Sequence, residues 1–211
     1  LVPDKFNKIR DFSEGVAPAC IGATKLYIDG KHFIRVGGKW GFINRHGKWV
    51  IAPQYKDAKP FSEGLAAVAI GDTEDTTGSG IWGYINHHGK TVVPHQFEEA
   101  KRFSEGVAPV CFQGRWGYIT SKGDFCIKPR FADAKPFSNG LAAVEVFPSH
   151  LFGFIDRSGK MIVSPQFVSV GQFNHGVAGT GDGKEGYIIL HTGKVIRLRE
   201  LLSETVSEPN R

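Results

Sequence analysis

Apolar and polar positions alternate over short stretches of this chain, and each stretch ends in a glycine-bearing turn. Trp40-Gly-Phe-Ile43 carries aromatic and β-branched side chains, which suit a pleated, half-buried strand. Asn44-Arg-His-Gly47 follows, and Asn86-His-His-Gly89, Thr120-Ser-Lys-Gly123 and Asp156-Arg-Ser-Gly159 take the same place further on. Asn, Asp or Thr first and Gly fourth predict a type I turn with a G1 bulge, which puts Gly47, Gly89, Gly123 and Gly159 at φ > 0. A second strand such as Trp49-Val-Ile51 comes next. It is predicted to stop at Pro53, Pro94, Pro129 or Pro165, because proline cannot donate to a ladder. A connector then reaches Phe-Ser-Glu-Gly, a second turn with its own φ > 0 glycine. The third strand is Leu65-Ala-Ala-Val68 or Val107-Ala-Pro-Val110. Its small alanines leave room for a bulky neighbour, the recurring Trp or Phe.

These elements are one unit, repeated. KWGFINRHGKWVIAPQYKDAKPFSEGLAAVAIG from Lys39 returns as IWGYINHHGKTVVPHQFEEAKRFSEGVAPV from Ile81 and as RWGYITSKGDFCIKPRFADAKPFSNGLAAVEV from Arg115. A fourth copy starts at Leu151 with Phe152 in place of Trp, and a fifth starts at Glu185 and stops halfway. Residues 3–20, PDKFNKIRDFSEGVAPAC, are the back half of the same unit. The aromatic pairs Phe6–Phe12, Tyr55–Phe61, Phe97–Phe103, Phe131–Phe137 and Phe167–Phe173 are each six residues apart. No unit of this length buries its aromatic face alone, so neighbours must stack. Two readings of the ends stand: trimming, or termini that complete one another as closing strands do in ring-like β-repeat proteins.

The recurring Trp40, Trp82, Trp116 and Phe152, the turn glycines, and Phe61, Phe103, Phe137 and Phe173 form the pattern WG[FY]I…GK…P[QR][FY]…AKxFSEG[LV]A. This pattern resembles the WG (or KWG) repeat of bacterial proteins, over nearly all of residues 3–197. Phe152-Gly153 and Glu185-Gly186 depart from Trp-Gly, Asn139 from Glu, and Asn174-His175 from Ser-Glu. The resemblance implies an all-β scaffold of five repeats of short antiparallel strands, as a propeller-like ring or a superhelical solenoid. It carries over no catalytic residue. Residues 1–197 are expected to form this domain, its last unit completed by residues 3–20 if the ends meet. Residues 198–211 are expected to form a tail or linker, with Leu198, Leu201, Leu202 and Val206 at helical spacing.

Charge adds little. The chain has 26 Lys and Arg against 21 Asp and Glu, a net charge of +5. These are scattered, without the stripe a phosphate backbone calls for, so nucleic acid is not expected as a partner. No apolar run approaches the ~20 residues that span a bilayer.

Candidate chemistry is sparse. His46, His87, His88 and His191 fall in one recurring turn and are expected to be solvated rather than to converge on a metal. Cys20 and Cys111 occupy equivalent places two units apart, and Cys126 lies on a second strand; all three are expected to be buried, reduced thiols. This tilts an otherwise unreadable compartment towards the cytoplasm. The Glu of the Ser-Glu-Gly turns is expected to pair with nearby Lys59 or Lys101. No nucleophile elbow, P-loop or zinc-protease motif occurs, so neither enzyme activity nor a cofactor is expected.

The breaks in the repeat carry more. From the Phe of Phe-Ser-Glu-Gly to the next Trp-Gly takes 13 residues at Phe103–Trp116 but 28 at Phe12–Trp40 and 21 at Phe61–Trp82. Insertions at one connection map to one face of an array, often the binding face. The first, Leu26–Ile34, predicts an extra hairpin across Asp29-Gly30 whose Tyr27, His32 and Phe33 suit an interface. The second adds Asp72, Glu74 and Asp75 as candidate binding residues, without calcium-loop spacing, on what is expected to be a solvated loop. The chain is therefore expected to be a non-catalytic scaffold that presents loops to a protein partner. The alternative is a glycan or cell-envelope binder with exposed Trp.

Overall fold

The computed structural model describes residues 6–27, 32–71, 80–171, 177–181, 186–190 and 192–197. Asp72, Glu74, Asp75, Phe173 and the helix expected in residues 198–211 lie outside the described residues.

Among the described residues, twenty strands form five separate four-stranded antiparallel sheets, each built from strands consecutive in the chain. The first holds β1 (Lys8–Ile9), β2 (Val16–Tyr27), β3 (Phe33–Asn44) and β4 (Trp49–Tyr55). The second holds β5 (Asp57–Ala58), β6 (Ala66–Ile70), β7 (Ile81–Ile85) and β8 (Thr91–Phe97). The third holds β9 (Glu99–Ala100), β10 (Val107–Phe112), β11 (Arg115–Thr120) and β12 (Phe125–Phe131). The fourth holds β13 (Asp133–Ala134), β14 (Leu141–Val146), β15 (Leu151–Asp156) and β16 (Met161–Phe167), and the fifth β17 (Ser169–Val170), β18 (Val177–Gly181), β19 (Gly186–Leu190) and β20 (Val195–Arg197).

The sheet runs half a unit out of phase with the Trp-Gly repeat. Each takes two strands from the back half of one unit and two from the front half of the next. The half-unit at residues 3–20 accordingly supplies β1 and β2, which hydrogen-bond on to β3 and β4.

Both turns of the unit rest on left-handed backbone. Gly47, Gly89, Gly123 and Gly159 have φ of 71°, 74°, 92° and 83°. Asn44 Oδ1 accepts from the amides of His46 and Lys48, which explains the Asn or Asp at the turn's head. In Ser-Glu-Gly-Val the glutamates are left-handed too: Glu14, Glu63 and Glu105 have φ of 51°, 56° and 55°. Both central residues at φ > 0 make a two-residue type I′ turn, closed by reciprocal Ser–Val or Ser–Leu bonds.

The second strand does not stop at proline. β4, β12 and β16 run through Pro53, Pro129 and Pro165 to the aromatic that ends each of them, and β8 passes through Pro94 to Phe97. The pairing jumps from Trp40↔Tyr55 to Phe42↔Ile51, so the proline falls in a bulge on an edge strand, where no donor is required. This bulge explains the glycine of Trp-Gly. A Cβ on Gly41, Gly83, Gly117 or Gly153 would sit 2.5–2.7 Å from a carbonyl oxygen of the second strand.

The core lies between consecutive sheets. Ala66 and Val68 of the second sheet pack with Trp40, Phe42 and Tyr55 of the first. Ala108 and Val110 meet Trp82, Tyr84 and Phe97, and Ala142 and Val144 meet Trp116, Tyr118 and Phe131. The alanine strand thus receives the aromatic face of the preceding sheet. Tyr84 Oη donates to the Lys101 carbonyl at 2.6 Å and Tyr118 Oη to that of Lys135 at 2.8 Å, tying each sheet to the next.

Candidate functional site

Four sheets bring equivalent strips to one cavity of about 700 Å³. Its lining includes Arg10–Ser13, Lys59–Ser62, Lys101-Arg102 and Lys135-Pro136. Each strip joins the first short strand of its sheet to the Ser-Glu-Gly turn, so the repeat itself gathers the positive charge.

The basic residue of each strip lies over the aromatic of its own sheet. The Arg10 guanidinium is 4.3 Å from the Trp40 ring centroid, Lys59 Nζ 4.6 Å from Trp82, Lys101 Nζ 4.1 Å from Trp116 and Lys135 Nζ 5.6 Å from Phe152. Three of them also reach the next sheet. Arg10 donates to the Ala58 carbonyl and pairs with Asp57 at 2.8 Å. Lys59 donates to the Ala100 carbonyl at 2.6 Å, with Glu99 at 3.7 Å. Lys101 bonds Asp133 at 2.5 Å and the Ala134 carbonyl at 2.9 Å. Burial lowers the Lys59 ammonium below its ordinary value, against the pull of Glu99 and Asp57. Burial pushes the Asp133 carboxyl up, but the bonds and charges of Lys101 and Lys135 outweigh it and hold the group below the usual range.

The turn glutamates pair with neither Lys59 nor Lys101. Glu14 accepts from the Gly64 amide at 3.1 Å, Glu63 from Gly106 at 2.8 Å and Glu105 from Gly140 at 3.1 Å. The left-handed backbone turns each carboxylate towards the following sheet, where it binds an amide left free by the next turn. His87 also joins this ladder, while its side chain stays partly exposed. Its Nε2 is 2.8 Å from Glu14 and its ring stacks on Phe61 at 4.0 Å. Arg157 does the same at Glu105 and Phe137.

Trp40, Trp82 and Trp116 are 6%, 6% and 7% exposed, so they are core and offer no stacking platform to a sugar. Phe61, Phe103 and Phe137 are buried, and Phe152 is half-buried. Cys20 and Cys111 are buried free thiols, whereas Cys126 is exposed, because its place on the edge strand faces out, like that of Val50. Burial, reinforced by Glu98, pushes the Cys111 thiol up to about 11. The first insertion is a ribbon: β2 and β3 pair from Val16↔Asn44 out to Tyr27↔Phe33, so it continues the central hairpin instead of forming a separate one. The pairing brings Tyr27 and Phe33 opposite each other, next to an exposed His32. In the third sheet the same connection is the two-residue turn Gln113-Gly114, both at φ > 0.

The fold defines a β-repeat protein of small interlocked sheets. The chain belongs to the WG containing repeat family, whose pattern matches residues 2–23, 40–73, 82–116, 116–146 and 152–180. No curated protein matches it. Among solved structures, a eukaryotic initiation factor is similar with a TM-score of 0.50 and 9% identity over 92% of this chain and 67% of that one. A protein of unknown function from Bacteroides caccae shows a TM-score of 0.41 and 14% identity over 92% of this chain and 81% of that one. At such identity the likeness concerns fold alone. Among the described residues no helix is long and apolar enough to cross a membrane.

Proposed function

We propose that this chain is a non-catalytic binding scaffold that holds a protein partner against the β2–β3 ribbon. One observation supports the reading above the others. The middle strands of the second to fifth sheets are five or six residues long, whereas β2 and β3 are twelve each. From Ala23↔Gly37 to Tyr27↔Phe33 these strands run beyond the length that the corresponding strands of the other sheets reach. A rigid scaffold carrying a projecting element suits recognition.

The test exploits the third sheet. Replacing Gly22–Gly38 by Gln-Gly gives the first sheet the turn that β10 and β11 already use. The variant is expected to melt within about 2 °C of wild type, since a ΔΔG of 1 kcal/mol shifts a chain of this size by roughly 2–4 °C. It is also expected to lose the proteins that wild type retains from a lysate of its source. A variant that melts normally and retains the same proteins overturns the reading.

A further inference from the structure

We infer that the cavity bordered by the four basic strips is a ligand site for a small molecule with a dianionic head, a phosphate monoester or a paired dicarboxylate, on a flat apolar body. The relay between sheets breaks after the fourth sheet. Arg10, Lys59 and Lys101 each find a carboxylate at the head of the next sheet, in Asp57, Glu99 and Asp133. At the following step the acid is replaced by Ser169, and Gly171 stands where the next basic residue would. Lys135 therefore turns back to Asp133, at 2.7 Å, a carboxylate already bonded to Lys101. Two ammonium groups share one acid. Arg102, next to Lys101, is exposed and has no partner among the described residues.

Uncompensated positive charge is thus concentrated on the strips of the third and fourth sheets. Both strips line the same cavity, against a single lining carboxylate among the described residues, Asp11 on the strip of the first sheet. A guanidinium and an ammonium held by different sheets match a doubly charged head better than a single charge, because each can donate to its own oxygen. The apolar body has a counterpart. Phe12 is 42% exposed on the same lining, while the equivalent Phe61, Phe103 and Phe137 are 2%, 1% and 1% exposed. An open cavity of about 700 Å³ falls within the range of small-molecule sites. It is too confined, and its surplus charge too local, for a nucleic-acid backbone.

Calorimetric titration of the intact chain with phenyl phosphate and with phthalate separates the two head groups. At least one is expected to bind at 1:1 stoichiometry. Arg102→Ala and Lys135→Gln are each expected to weaken it about tenfold, the scale of one charge-assisted hydrogen bond. Phe12→Ala is expected to bring phenyl phosphate down towards inorganic phosphate. Lys122→Gln, an equal charge change in a hairpin turn off the cavity lining, is expected to leave binding unchanged. Arg102 has no partner to lose among the described residues, so its variant tests the site without disturbing the fold, as its melting curve verifies. Failure of both probes overturns the inference. So does wild-type affinity in both Arg102→Ala and Lys135→Gln, or an equal loss in Lys122→Gln, which would reduce the effect to net charge.

Discussion

A Cβ added at Gly117 would meet the Ile127 carbonyl oxygen at 2.6 Å and the Pro129 nitrogen at 2.7 Å, both of them backbone atoms that cannot swing away. Gly64 presents the opposite case: its φ is +79°, but an added Cβ would find nothing within 4 Å. One glycine answers to close approach and the other to conformation, so alanine tells them apart. Gly64→Ala is expected to cost about 1 kcal/mol, the left-handed penalty for a residue with a Cβ. Gly117→Ala must open the bulge against β12 and is expected to cost about 3 kcal/mol or more. Urea denaturation measures both, and equal losses would remove the bulge as the reason for the Trp-Gly pair. The sequence displays these glycines equally well, but only as repeated letters. The turn glycines are legible because a four-residue turn is local. The Trp-Gly glycine is not, because its constraint comes from a proline on the neighbouring strand.

At the scale of the element, the strip-to-strip relay makes stability depend on pH through Asp133. Its carboxyl is held below the ordinary value, so the folded state favours the charged form more than the unfolded chain does. The resulting stabilisation is complete above the unfolded value of roughly 3.9 and is lost as pH falls through the lower folded value. Asp133→Asn removes the partner of both Lys101 and Lys135. It is expected to cost about 1–2 kcal/mol at pH 7, a gap that closes below pH ~4 as the wild-type carboxylate protonates. Thermal melts of the two proteins across that range check it, and a gap independent of pH would assign the loss to packing instead. The strands and the hairpin turns behind this relay are readable from alternation and turn chemistry. The partners are not. Glu63 sits four residues from Lys59 and invites a local pair, yet its left-handed backbone directs it to the Gly106 amide, 43 residues on. His87 misleads in the same way: its turn neighbours give no sign of a glutamate 73 residues earlier.

For the molecule as a whole, stability follows from stacking, and position in the array decides what a repeated residue contributes. Phe103 is packed with Tyr84 of the preceding sheet at a ring separation of 4.8 Å, and Phe137 with Tyr118 at 4.9 Å. Phe12 has the same place in its unit, but no ring packs on it among the described residues, and it is 42% exposed. In a quasi-one-dimensional array the energy of a unit is its own term plus those of its neighbours. Phe103→Ala is therefore expected to cost about 3–5 kcal/mol, the usual range for a buried phenylalanine. Phe12→Ala, with much less area to uncover, is expected to stay under about 1.5 kcal/mol. Comparing both variants by denaturant unfolding tests the stacking directly, because both residues open the same Phe-Ser-Glu-Gly-Val-Ala-Pro segment. If Phe12→Ala costs as much as Phe103→Ala, its ring is covered in solution, and the cavity face it borders is closed by something that binds there.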